Sequence, residues 1–279
     1  MSDILKTDYT FLDRPEILNL LFHPRADAFN GGSKGAGGPG SATDHLIPVA
    51  ENVEIGARFH MTSRTGPSIL FFHGNGEIIS DYDELGPFYN QMGINFLPVD
   101  YRGYGFSTGM PTVTAMMQDA HRVFDFVTQW LVSEKFTGPL IVMGRSLGSA
   151  PALELACCRV SDMDALIIES GFARALPLLR LLGIDPDALG LREGDLFENE
   201  SKIKKFDKPT LIIHAQFDHI IPFSDGQALY DASPARGKTL LTIAGANHND
   251  IFARGLSEYL TAIRTLTGKL DPRGVHSHG

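Results

Sequence analysis

The run Pro139-Leu-Ile-Val-Met-Gly-Arg-Ser-Leu-Gly148 constrains this chain more than any other stretch. An apolar segment of strand character stops at Gly144-Arg-Ser-Leu-Gly148, and Ser149-Ala-Pro-Ala-Leu-Glu-Leu-Ala156 beyond it reads as a helix. A G-x-S-x-G pattern between a buried strand and a helix marks a sharp turn that lifts a serine hydroxyl above the end of a sheet. The two glycines keep bulk out of that turn, so the chain can bend and the helix can pack close to the strand. Ser146 then stands at a helix N-terminus, where free N–H groups and the positive end of the dipole favour developing negative charge. Ser146 is the candidate nucleophile.

The rest of the chain repeats the alternation. Strands are expected at 46–49, 53–59, 68–73, 95–99, 140–143, 165–169, 210–214 and 240–243. From residue 68 onward they are apolar on both faces, as parallel strands covered by helices on each side require. Helices are expected at 14–22, 81–92, 113–132, 147–159, 224–232 and 251–267. The third of these carries Val113, Met116, Met117, Ala120, Val123, Phe124 and Val127 at helical spacing. Successive right-handed βαβ units give an α/β fold: a doubly wound, mostly parallel eight-stranded sheet with helices on both faces. Its functional loops lie at the strand C-termini. The first strands, joined by short turns, should form an antiparallel edge. One domain over 1–279 is expected.

Two segments break the rhythm. Residues 31–40 are rich in glycine, but Ser33-Lys34-Gly35 has the wrong order for a phosphate loop and no helix follows, so a flexible surface loop is expected. Residues 172–206 replace a single connecting helix with a segment long for such a link. They read either as an ordinary packed helix or as a small lid or cap over Ser146. Five leucines, Leu176, Leu178, Leu179, Leu181 and Leu182, exceed one helical stripe, so Leu176, Leu179 and Leu182 are taken as candidates to line an acyl pocket.

Composition narrows the possible chemistry. With 43% hydrophobic residues among 279, the chain can fill a large core, and a net charge of −9 argues against nucleic acid as a partner. Cys157 and Cys158 are adjacent on a helix, where side chains diverge, so two packed thiols are expected rather than a disulfide or a metal site. No cofactor or metal motif stands out. The first residues lack an uninterrupted apolar core and no run reaches membrane-spanning length. A cytoplasmic protein without stable membrane insertion is expected, acting on a small-molecule or acylated substrate. Nothing in the sequence bears on oligomeric state.

A serine nucleophile needs a base, and the base an orienting acid. Asp218, just past the strand at 210–214, and His248, in Ala244-Gly-Ala-Asn-His-Asn-Asp250, follow Ser146 in the order Ser, Asp, His on loops at strand C-termini. Oxyanion donors are expected from the backbone N–H groups of Leu147 and of Asn75, in His73-Gly-Asn-Gly76. Rival assignments are Glu169 as the acid and His73 as the base, the first disfavoured by loop order and the second because it precedes the serine. His214 is expected to be structural, His219 to pack locally, Asp250 to cap the last helix, and His276 and His278 to lie in an unanchored tail.

Taken together, His73-Gly-Asn-Gly76, Asp100-Tyr-Arg-Gly-Tyr-Gly-Phe-Ser-Thr-Gly109 and Gly144–Gly148 resemble the HGxG loop, the D-x-R-G-x-G-x-S-x-G segment and the nucleophile elbow of the α/β-hydrolase superfamily. The chain is similar to its bacterial single-domain serine hydrolases over roughly 47–267. It departs at Ala246-Asn247-His248, where glycine often precedes the histidine. Arg145 places a cation beside the serine, as in depalmitoylase-like relatives, or pairs with an acidic neighbour. The resemblance implies acyl transfer to water from an ester or thioester. A serine peptidase of aminopeptidase type, with Glu169 or an acid of 172–206 for the substrate amine, is the alternative. A non-catalytic binding protein is a third reading.

Overall fold

The computed structural model describes residues 7–28 and 42–270; the glycine-rich 31–40 segment and the tail with His276 and His278 lie outside them. In chain order the elements are α1 (Pro15–Leu21), β1 (Ala42–Ala50), β2 (Val53–His60), β3 (Ser68–Phe72), α2 (Gly86–Gln91), β4 (Asn95–Val99), α3 (Val113–Ser133), β5 (Leu140–Arg145), α4 (Ser149–Cys158), β6 (Ala165–Glu169), α5 (Ala175–Leu181), α6 (Asn199–Ile203), β7 (Thr210–Ala215), α7 (Phe223–Ala232), β8 (Lys238–Ile243) and α8 (Ile251–Thr267). The strands form one eight-stranded sheet in the order β1-β2-β4-β3-β5-β6-β7-β8. β1 and β2 run antiparallel to each other, β2 antiparallel to β4, and every pairing from β4 to β8 is parallel. The expected antiparallel edge and doubly wound body are both present.

Strand alternation divides the core into two layers. Leu70, Phe72, Val142, Leu166, Ile168 and Ile212 point to the face that carries α3 and α4. Their neighbours Ile69, Phe71, Ile141, Met143, Ile167, Leu211 and Ile213 join the layer beneath Tyr89 and Tyr259. This two-sided burial is why the strands read as unbroken apolar runs. α3 buries the stripe read from the sequence, and the Thr112 hydroxyl caps it by accepting from the Ala115 N–H at 3.0 Å.

The helix expected at 81–92 is instead two pieces, a 3₁₀ turn at Ile79–Tyr82 and the short α2. Pro87 lies in the first turn of α2, where its missing N–H costs nothing; inside a longer helix it would leave a carbonyl unpaired and clash with the preceding turn. Likewise, 147–159 begins as a 3₁₀ turn, Ser146–Gly148, before α4 proper. Among the described residues, no helix is long and apolar enough to cross a membrane.

Candidate active site

Five parallel strands, β3, β5, β6, β7 and β8, end side by side, and the loops that leave β3, β5, β7 and β8 carry Asn75, Ser146, Asp218 and His248 in turn. The turn after β5 is the tightest. Ser146 takes φ +51°, a left-handed conformation costly for a non-glycine residue. A Cβ on Gly144 would lie 2.1 Å from the Gly148 carbonyl oxygen, and one on Gly148 would lie 2.1 Å from that of Phe72. Both positions therefore exclude any side chain, and the strain at Ser146 is held by packing on both sides of it.

Ser146 is half-buried and its hydroxyl lies 2.9 Å from His248 Nε2. On the other side of the ring, His248 Nδ1 lies 2.7 Å from Asp218 Oδ2. Asp218 is 8% exposed, and its Oδ1 accepts from the backbone N–H groups of Ile220 (3.0 Å) and Ile221 (2.8 Å). Burial pushes its carboxyl up; the hydrogen bond and charge of His248, with the two amides, outweigh that and hold it below its ordinary value. An ionised Asp218 accepts a hydrogen bond from His248 Nδ1–H, which leaves Nε2 free to accept from Ser146.

The loop after β3 is held from several directions. The Gly74 N–H donates to Glu77 Oε2 at 2.6 Å, and Gly76 takes φ +74°. The Asn75 side chain is pinned through Oδ1, which accepts from the His23 N–H (2.9 Å) and the Tyr104 hydroxyl (2.8 Å), and through Nδ2, which donates to His23 Nδ1 (2.9 Å). Tyr101 donates to the His73 carbonyl at 2.6 Å. The Asp100–Gly109 segment thus buttresses the loop that carries Asn75. Leu147, the other residue singled out for its N–H, follows Ser146 directly and is buried.

The rival residues go elsewhere. His73 is fully buried between Asp100 Oδ1 (3.1 Å) and the Gly74 carbonyl (2.8 Å). Glu169, also fully buried, accepts from Arg145 Nη1 (3.2 Å) and the Tyr259 hydroxyl (2.8 Å), and burial raises its carboxyl. It is not available to a substrate amine. His214 bonds the Ile221 carbonyl at 2.8 Å, and His219 is exposed. Asp250 occupies the N-cap position of α8, but its carboxylate accepts from the Asn247 N–H and from Arg254 instead of capping the helix.

Arg145 resolves in favour of the acidic neighbour. It is buried, pairs with Glu77 (2.9 Å) and Glu169, and donates to the His248 carbonyl. The acidic pairing is one of the two readings of Arg145 in the sequence; its bond to the His248 carbonyl, and the roles of His23, Tyr104 and Tyr259, are not legible there, because each depends on a contact between segments far apart in the chain.

The leucines of 172–206 are arranged differently from the expectation. Glu193 accepts from the Ala175 and Leu176 N–H groups and so starts α5 with a carboxylate at its N-terminus. Leu179 is 1% exposed and belongs to the core, with Leu176 and Leu182 packed partly against it. α5 turns that stripe inward, so the recess of about 180 Å³ beside it is lined by Leu178 and Leu181 instead, with Phe172, Pro177, His219 and Ile220. A groove of about 330 Å³ lies by Tyr82, Phe88, Arg145, Asn249 and Phe252, reaching the chain neighbours of Ser146 and His248.

A strand-ended serine in a strained turn, with histidine and aspartate on the loops that follow, on a sheet of this order, defines the class: the chain belongs to the α/β-hydrolase family. A family model described as serine aminopeptidase, S33, matches residues 64–182. The chain is 31% identical to α/β hydrolase domain-containing protein 17C of Bos taurus, over 78% of this chain and 70% of that protein. It is 34% identical to lysophosphatidylserine lipase ABHD12 of Xenopus tropicalis, over 69% of this chain and 55% of that protein, and so spans little more than half that relative's length. In three dimensions it is similar to Est1E from Butyrivibrio proteoclasticus, solved with ferulic acid bound: TM-score 0.65 at 21% identity, over 79% of this chain and 96% of the other.

Proposed function

We propose that this chain is a serine hydrolase that cleaves a carboxylic ester or thioester through an acyl-enzyme. The observation that carries the reading is the unbroken hydrogen-bond chain Ser146 Oγ, His248, Asp218 at a strained turn. As Ser146 Oγ attacks the carbonyl carbon, His248 Nε2 takes its proton and later delivers it to the leaving group. Asp218 holds the Nδ1–H tautomer and stabilises the imidazolium. The N–H groups of Asn75 and Leu147 receive the oxyanion. Water, activated by the same histidine, then releases the acid.

The relative named as a lysophosphatidylserine lipase supports a lipid ester as substrate. In this reading 172–206 is a small cap, and the acyl chain enters the recess by Leu178 and Leu181, next to the loop that carries Asp218. A peptidase would need a carboxylate for the substrate amine, and Glu169 is paired with Arg145 and closed off. A p-nitrophenyl ester series run beside acyl-CoA and aminoacyl-arylamide substrates tests the choice. Turnover of esters or thioesters with an inert arylamide supports it; arylamide turnover alone overturns it. A purified chain that neither turns over any of them nor labels with a fluorophosphonate is a binding protein instead.

A further inference from the structure

The end of α4 carries two thiols that chemistry at Ser146 does not use. Successive helical residues point about 100° apart, yet the sulfurs of Cys157 and Cys158 lie 3.5 Å from each other. Both are free and half-buried. Cys158 is the last residue of α4, and Arg159 beyond it has left helical dihedrals (φ −126°, ψ 33°) before a 3₁₀ turn at Val160–Asp162, so the α-helical register ends at Cys158.

The two sulfurs are not equivalent. Lys205 Nζ lies 3.8 Å from Cys157 Sγ, while Cys158 Sγ faces the Glu154 carboxylate at 3.5 Å. A cation favours the thiolate and a carboxylate keeps the proton on its neighbour, so the pair divides into a nucleophile, Cys157, and a protonated partner, Cys158. The hydrogen bond from Cys158, helped by Lys205 and Lys202 against burial and the charge of Glu154, brings the Cys157 thiol down to about 6. The same bond, with burial, raises that of Cys158. A shared cation is a poorer fit. His121, Glu154 and Cys158 are close enough to hold one, but Lys202 Nζ already sits 2.7 Å from Glu154 Oε2, and Arg159 lies beside His121.

We propose that Cys157 and Cys158 form a dithiol site for hydroperoxides, with Cys157 the attacked thiolate and Cys158 the resolving thiol. The Cys157 sulfur attacks the terminal peroxide oxygen and the O–O bond breaks, giving the sulfenic acid. Hydroxide (from hydrogen peroxide) or an alkoxide (from an alkyl hydroperoxide) leaves and takes a proton from solvent to become water or an alcohol. The Cys158 sulfur then attacks that sulfur and the S–O bond breaks. The Cys158 proton leaves with the hydroxide as water. Two sulfurs are oxidised and two oxygens reduced. Adjacent Cα atoms stand ~3.8 Å apart, below the usual disulfide range of about 4.4–6.8 Å. Closing the ring therefore opens the last turn of α4 and yields a strained bond that cellular thiols reduce readily.

The test is the intact mass of the reduced full chain after exposure to hydrogen peroxide. Loss of two hydrogens, restored by dithiothreitol, is expected. With dimedone present, Cys158→Ser should gain an adduct mapped to Cys157, and Cys157→Ser roughly tenfold less. Should either variant fold poorly, iodoacetamide mapping of the unmodified chain at neutral pH decides, with Cys157 alkylated well ahead of Cys158. Added oxygen without the loss of hydrogens, or equal reactivity of the two thiols, would overturn the proposal.

Discussion

Arg145 Nη2 donates to the carbonyl oxygen of His248 at 3.1 Å, so the residue before Ser146 is tied to the residue that faces its hydroxyl. The same guanidinium reaches Glu77 on the loop that carries Asn75 and Glu169 at the end of β6. One buried cation therefore joins three of the loops around the site. Arg145→Lys keeps the charge but loses the planar fork, so it cannot serve all three partners. Its kcat for ester turnover is expected to fall by roughly ten- to a hundredfold while KM changes little. Unaltered kcat in a folded variant would remove Arg145 from the positioning of His248.

The assignment of the acid is tested by comparing two variants. Asp218→Asn offers Nδ1 the wrong partner and should lower kcat by about 10⁴-fold. Glu169→Gln leaves His248 and Asp218 in contact and should act mainly on stability, because it unbalances Arg145 in a buried site. A dead Glu169→Gln beside an active Asp218→Asn would reverse the roles.

Much of this was legible in the sequence because it is local. The elbow, the loop at 73–76, and the order of Ser146, Asp218 and His248 rest on residue types at short spacing or on chain order. Apolar spacing runs on across 81–92 and so reads as one helix, whereas the chain breaks after Tyr82 and restarts at Gly86-Pro87, with the proline in the first turn of α2. Arg145 could be read as a cation beside a serine or as the partner of some acid, but not as the link between three loops, since Glu77, Glu169 and His248 come from distant parts of the chain. The leucines of α5 face both the core and the recess, and a run of apolar residues does not tell which side is which.

Asn75 gives a sharper test of the loop after β3. Tyr104→Phe removes the hydroxyl that donates to Asn75 Oδ1 and leaves the ring packing. If the Asn75 N–H receives the oxyanion, kcat should fall roughly tenfold with KM nearly unchanged, because the loss is felt at the transition state. A rise in KM alone would place Tyr104 in ground-state binding.

The recess by α5 makes chain length informative. If it takes the acyl chain, kcat/KM should rise with each methylene, by up to ~0.8 kcal/mol, and then fall when the space is filled. Leu178→Ser with Leu181→Ser should flatten the rise and spare acetyl esters. A uniform loss on every ester would make these leucines purely structural.

Glu154 links stability to pH. Buried beside Lys202 (2.7 Å) and Tyr9 (2.7 Å), with His121 adjoining, its carboxyl lies far below its ordinary value: burial raises it, and His121, Lys202 and Tyr9 together outweigh burial. A carboxyl depressed on folding contributes stability above the unfolded value of ~4.3, and that contribution fades as pH falls further. Glu154→Leu with Lys202→Met should therefore show a shallower acid limb in urea unfolding, whereas Glu154→Ala alone, which strands Lys202, should cost about 3–5 kcal/mol at neutral pH. Parallel acid limbs in the double variant and the unmodified chain would contradict this.

The most direct measurement is rapid acid quench of the chain during turnover of a p-nitrophenyl ester, followed by peptide mapping. An acyl group is expected on Ser146, appearing with a burst of p-nitrophenol and absent from Ser146→Ala, whose turnover drops by ~10⁴-fold or more. Ester turnover that persists in Ser146→Ala, or an acyl group mapped to another residue, would contradict hydrolysis through this serine.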